Sequence, residues 1–163
     1  MKIIYILMTT SIIYGCMGKV PEKTGLEGQT LPSFKLLLAD SASYFDTRNI
    51  ETGKPFVLFL FGPYCPYSQS QMEEIIKNME TLKNIHFYVF TAAPFNEMKI
   101  FNDRYNLKKY SNVTVGSDIK DYLGEYFHIK GVPYLAIFGK DGRLNKAFLG
   151  RINSEEIKEL SSN

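Results

Sequence analysis

Phe56-Val-Leu-Phe-Leu-Phe-Gly-Pro-Tyr-Cys-Pro-Tyr-Ser68 is the stretch around which the chain is organised. Phe56 to Phe61 is an unbroken apolar run of three phenylalanines, two leucines and the β-branched Val57. Its length suits a strand buried on both faces, in a sheet covered by helices. Gly62-Pro63 breaks the run. Met72, Ile75, Ile76, Met79 and Leu82 then recur three or four apart, which predicts an amphipathic helix. Pro66 suits the first helical position, where a missing N–H costs nothing. Cys65 therefore falls between a buried strand and a helix N-terminus. Free N–H groups and the positive end of the helix stabilise a thiolate there, so the spacing points to a reactive thiol.

Strand, turn, Cys65-Pro-Tyr-Ser68 and helix together resemble the active site of the thioredoxin superfamily. Cys-Pro-Tyr-Cys is the glutaredoxin dithiol motif. The fourth position here is Ser68, so the chain resembles a monothiol variant. The second half carries a matching signal. Gly131-Val-Pro133 precedes the apolar run Tyr134 to Phe138, then the hairpin turn Gly139-Lys-Asp-Gly-Arg143. The return strand Leu144 to Leu149, Gly150 and a last helix capped by Asn153 or Ser154 follow. In thioredoxin-like proteins the matching proline is cis and lies against the active-site cysteine. The resemblance thus implies a cis Val132–Pro133 peptide beside Cys65, exposing Val132 N–H and C=O to an extended partner peptide.

Between these halves, Ile85 to Phe90 and Val113 to Val115 read as strands. Asn96 to Leu107 and Ile119 to Phe127 read as helices. Phe34 to Leu38 and Tyr44 to Thr47 read as a hairpin around Ala39-Asp-Ser-Ala42. With Gly28-Gln-Thr-Leu-Pro-Ser-Phe34 and Gly53-Lys-Pro55, that hairpin resembles the N-terminal extension of TlpA/ResA-like redoxins and of the peroxiredoxins related to them. The fold expected is α/β and thioredoxin-like: a central mixed β-sheet flanked by helices, with an N-terminal β-hairpin extension.

The N-terminus reads as an export signal. Lys2 supplies the positive start, and Ile3 to Tyr14 is mostly apolar but too short to span a bilayer. Ile13-Tyr-Gly-Cys16 resembles a bacterial lipobox, in which the cysteine becomes the acylated first residue. The alternatives are an ordinary signal peptide or an uncleaved anchor. The division expected is 1–15 lipoprotein signal peptide, 16–30 lipid anchor and tether, and 31–163 thioredoxin-like domain. Residues 17–30 have no hydrophobic period and carry Gly18, Pro21, Gly25 and Gly28. The localisation expected is the cell envelope, with the domain outside the cytoplasm and tethered to a bacterial membrane through Cys16.

The chain has 163 residues, enough for one domain, and a net charge of +2, too small to argue for nucleic acid. Cys16 and Cys65 are its two cysteines. With Cys16 acylated, Cys65 cannot form an intramolecular disulfide; it is reactive, paired with another molecule, or buried and inert. Neither cofactor nor metal is expected, because His86 and His128 with one free thiol make no ligand spacing.

The candidate site residues are Cys65 as nucleophile and Ser68 as hydroxyl partner one turn on. Tyr64, Pro66, Tyr67, Val132 and Pro133 are placed against the partner. A dithiol enzyme uses its second thiol to release the partner, a step Ser68 cannot perform. Two further departures accompany Ser68. Phe59 stands where thioredoxins carry a buried acid, and Gln71 where the TlpA-like pattern often has Glu. Peroxidase chemistry is disfavoured, since Gly62 replaces the threonine of the peroxiredoxin Pro-x-x-x-Thr-x-x-Cys motif. The function expected is monothiol exchange with protein thiols and disulfides of the envelope. The competing reading is a redox-inactive module that holds partner proteins at the Val132-Pro133 edge.

Overall fold

The computed structural model describes residues 19–162. The proposed signal peptide and Cys16 lie outside the described residues. The order of elements is β1 (Lys35–Leu38), β2 (Tyr44–Asp46), β3 (Phe56–Leu60), α1 (Pro66–Lys77), α2 (Met79–Leu82), β4 (His86–Thr91), α3 (Phe95–Arg104), β5 (Val113–Ser117), α4 (Tyr122–Phe127), β6 (Tyr134–Phe138), β7 (Leu144–Leu149) and α5 (Ser154–Ser161). The strands form one mixed sheet in the order β2-β1-β5-β4-β3-β6-β7. β3, β4 and β5 run parallel; β6 runs antiparallel to β3, with Leu60 opposite Tyr134.

Alternation along the strands divides the core in two. Val57, Phe59, Phe87, Val89, Leu135 and Ile137 face α1, α2, α3 and α5. Phe56, Leu58, Tyr88, Phe90, Ala136 and Phe138 face α4 and the N-terminal segment. All five residues of β3 are buried, as its unbroken apolar run predicts for a strand covered on both sides. Phe56 stacks on Phe138 across the β3–β6 pair, with ring centroids 4.4 Å apart. Among the described residues no helix is long and apolar enough to cross a membrane.

Four stretches differ from the sequence reading. The one helix expected to carry Met72 to Leu82 is broken at Asn78 into α1 and α2, because Asn78 leaves the helical conformation. The helix expected from Ile119 begins at Tyr122. The buried Asp118 carboxylate accepts from Tyr122 N and Leu123 N at 3.0 and 2.8 Å, fixing the start. Ile119 is left 63% exposed in the preceding turn. The helix expected over 96–107 ends at Arg104, because Asn106 takes the left-handed conformation and a separate 3₁₀ turn follows over Leu107–Lys109. At the N-terminus, residues read as tether lie along β7. Glu22 N donates to Ala147 O and Gly28 N to Leu144 O, each at 2.8 Å, and Leu144 N donates to Gln29 O at 2.9 Å. Backbone pairing holds this segment, so it needs no hydrophobic period.

Candidate functional site

The site is assembled where β3 ends and β6 begins. Phe61 N still pairs with Phe90 O at 3.0 Å, and Gly62 then turns the chain out of the sheet. A Cβ on Gly62 would stand 3.0 Å from Val132 Cγ2 and 3.1 Å from Cys65 Cβ. Only glycine lets the two loops come this close. Cys65 is the N-cap of α1, with extended backbone and Pro66 behind it in the first turn. Cys65 N donates to Gly62 O at 3.0 Å, and Gln69 Nε2 donates to Pro63 O at 3.0 Å, closing the loop against the helix.

The Val132–Pro133 peptide is cis. The Cys65 thiol donates to Val132 O at 3.5 Å. Pro133 O accepts from Gly150 N, so the start of β6 is tied to the end of β7. Ser68 is fully buried, and its hydroxyl accepts from Gly62 N at 3.1 Å. Burial alone pushes the Cys65 thiol up. The Ser68 N–H, the Ser68 hydroxyl and the Tyr67 N–H together outweigh burial and hold the thiol below its ordinary value. Cys65 is free and partly exposed.

The sequence-derived residues thus gather as follows. Cys65, Ser68, Val132 and Pro133 meet at one point. Tyr67, Val132 and Pro133 line an open groove of about 470 Å³ with Gly131, Leu149, Gly150, Lys19 and Arg151. Tyr64 and Tyr67 are 65% and 67% exposed, so neither is held in the core. Tyr64 and Pro66 do not line the groove. Gly150 was read only as the residue after the return strand, and Lys19 and Arg151 had no signal in the sequence; β7 and the pairing of the N-terminal segment place them. A larger hollow of about 950 Å³, between Phe34, Leu37, Tyr44 and Tyr122, touches none of the proposed site residues. Cys65 does not line the smaller groove either; its thiol adjoins it through Val132.

Phe59 is fully buried, in the apolar cluster. Gln71 is fully buried; its Oε1 accepts from Ile152 N at 2.9 Å, while its Nε2 has no partner. Glu74 Oε1 accepts from the Ser154 hydroxyl at 2.9 Å. These contacts fasten α1 to the entrance of α5 rather than to the thiol. His86 Nε2 lies 2.8 Å from Thr114 Oγ1 and its ring stacks on Tyr88. Among the described residues no cluster of His, Cys, Asp and Glu could hold a metal ion.

Residues 47–162 match the family described as "Thioredoxin-like domain". No curated protein matches the chain. Among solved structures, a secreted disulfide oxidoreductase of Mycobacterium tuberculosis, homologous to DsbE of E. coli, superposes with a TM-score of 0.65 at 20% identity, covering 78% of this chain and 93% of that one. StoA from Bacillus subtilis gives 0.60 at 14% identity, with 80% and 97% covered. AhpC from Enterococcus faecalis gives 0.67 at 15% identity, with 83% and 90% covered. At these identities the likeness is one of fold.

Proposed function

The chain belongs to the thioredoxin-like domain family, and from that premise we propose that it is an exported, lipid-anchored protein that exchanges disulfides through Cys65 alone. The observation that carries this reading is the single thiol at the head of α1, held below its ordinary pKa and facing Val132, with a hydroxyl where a resolving thiol would stand.

The chemistry follows from those groups. A partner strand lies along Val132, in the groove between Tyr67 and Pro133. The Cys65 thiolate attacks one sulfur of the partner's disulfide. A Cys65–partner S–S bond forms as the partner's own S–S bond breaks, and its second sulfur leaves as a thiolate that takes a proton from water. Electrons balance without a cofactor. Ser68 supports the thiolate and cannot attack the mixed disulfide, so a thiol from another molecule must release Cys65. Cys16, acylated after removal of residues 1–15, keeps the domain in the cell envelope and outside the cytoplasm.

Trapping in intact cells tests the reading. Acid quenching, alkylation and non-reducing electrophoresis should find Cys65 in mixed disulfides with envelope proteins, all lost in Cys65→Ser. Cys65 that stays a free thiol in cells and reacts with alkylating agents no faster than an ordinary thiol would leave the non-covalent binding module instead.

A further inference from the structure

The short stretch between Cys16 and Lys19 decides which end of the domain meets the membrane. Glu22, Gly28 and Gln29 are paired along β7, so they cannot serve as tether. Lys19 already lines the groove beside Tyr67, Val132 and Pro133. Only Met17 and Gly18 separate it from Cys16, three chain steps with a reach of about 11 Å when fully extended. A free tether over 16–30 would have reached about 50 Å. A domain of this size is about 35 Å across, so so short a link selects one end.

The same end carries the exposed apolar surface. Tyr64 and Tyr67 follow β3, Ile119 and Tyr122 follow β5, Val132 precedes β6, and Val20 lies beside the end of β7. All are exposed by more than a third, with Val20 at 81%. Tyr44, opposite Leu37 and hence level with Ser117, borders them. Ile100, on α3, is the one large apolar side chain exposed elsewhere among the described residues. Lys19 and Arg151 stand within this end. Tyrosines, isolated apolar side chains and cations are the composition that settles at headgroup level, and an apolar patch gathered at one end of a domain marks an interaction surface.

We propose that the bilayer surface is what this end faces, so that Cys65 is held at headgroup level and exchanges with disulfides in the membrane-proximal segments of other membrane proteins. The inference rests on the proposed acylation of Cys16 and deepens that reading by naming where the partner's disulfide must lie. A disulfide on a distant, soluble part of a partner would meet the opposite end, the Gly139–Arg143 turn.

Depth-dependent quenching tests it. The full-length acylated protein is purified from membranes and placed in vesicles whose headgroups carry a quencher. A fluorophore is attached to Cys65, or to Asp141→Cys in a Cys65→Ser background. Position 141 lies about 16 Å farther along the strands, so the Cys65 probe should be quenched at least about twofold more. A Gly/Ser spacer of 15 residues between Gly18 and Lys19 adds about 20 Å of reach and should bring the two probes to equal quenching. A difference that survives the spacer overturns the short link as its cause. Equal quenching without the spacer, or stronger quenching at position 141, overturns the orientation while leaving the anchor intact. Absence of acyl chains on Cys16 by mass spectrometry overturns the anchor, and the orientation with it. The partner is read with a membrane-spanning peptide carrying a disulfide either beside its apolar span or some 30 residues beyond it. The near one should form the mixed disulfide at least about tenfold faster, through effective concentration; equal rates overturn the partner assignment.

Discussion

The Cys65 thiol meets the carbonyl oxygen of Val132 at 3.5 Å across 67 positions of chain. Neither residue makes a site alone. β3 and β6 pair antiparallel, so the end of one lies beside the start of the other, and Gly62 removes the Cβ that would hold the two loops apart. A free thiol and the exposed Val132 therefore share one surface. That is the arrangement a peptide disulfide requires, since the partner must be aligned before its sulfur is attacked.

Cys65 should alkylate with a pH midpoint below the free-thiol value of about 8.5. The sign follows from its partners: two backbone N–H groups and a hydroxyl favour the thiolate over the thiol, against burial. Iodoacetamide rates measured between pH 5 and 9 should already be near plateau at the upper end. A midpoint at or above the ordinary value would contradict thiolate stabilisation by α1.

Gly62→Ala should cost about 1–3 kcal/mol through overpacking. The new methyl would press on Val132 Cγ2 and Cys65 Cβ, and one loop must retreat. Urea unfolding reads the cost, and the rate of mixed-disulfide formation should fall with it. Unchanged stability and rate would mean that the loops are not in the close approach described.

The fold was legible because two distant stretches each broke their own periodicity in the same way. Phe56–Phe61 and Tyr134–Phe138 are apolar runs too short for helices, and each adjoins a proline-bearing turn. The meeting of Cys65, Ser68, Val132 and Pro133 at one point was legible from the same two stretches. What the sequence hid was held by backbone. Glu22 and Gly28 pair with β7 through main-chain groups that any residue carries, so they read as tether. Asp118 sets the start of α4 from five residues before Leu123, whereas apolar spacing alone drew the helix back to Ile119. Gln71 marks a departure from a pattern by its position, yet its task, accepting from Ile152 N, depends on a contact 81 positions away.

Stability should fall as the solution is acidified through the region of the ordinary histidine pKa, near 6.5. Burial holds the His86 pKa below that value; Glu51 pulls it up and Lys54 down to lesser degrees. The folded state therefore favours neutral His86, and the unfolded chain binds the proton more readily. This contribution is fully present above the unfolded value and is lost as pH falls toward the folded one. Urea midpoints at pH 7.5 and 5.5 should differ more for the wild type than for His86→Gln. Equal differences would remove His86 as the cause.

Cys16→Ser should move the protein from the membrane fraction to the soluble envelope fraction. The expectation rests on Lys2, the apolar run and Ile13-Tyr-Gly-Cys16. The domain's own exposed apolar end is small, and a single weak contact does not anchor a protein stably. A variant that stays membrane-bound through a high-salt wash would show that something other than acyl chains holds it.

On the proposed one-thiol reading, Ser68→Cys should turn one-step exchange into slow turnover. Wild-type protein should form a mixed disulfide with insulin and stop, because no second thiol lies within the site. Position 68 is fully buried one helical turn from Cys65, close enough for a thiol there to attack the mixed disulfide. The new thiol must first lose its proton, and its surroundings help little. Phe59 lies in the apolar cluster, and Gln71 spends its oxygen on Ile152 N. Turnover in the insulin assay should therefore be measurable but well below that of a dithiol enzyme of the same fold. Ser68→Ala supplies the complementary reading. It removes a hydroxyl that favours the thiolate and leaves Gly62 N without its acceptor, at a cost of about 1 kcal/mol. Its alkylation midpoint should move up while mixed disulfides still form at raised pH. A silent Ser68→Cys variant, paired with an unmoved midpoint in Ser68→Ala, would detach Ser68 from the chemistry of Cys65.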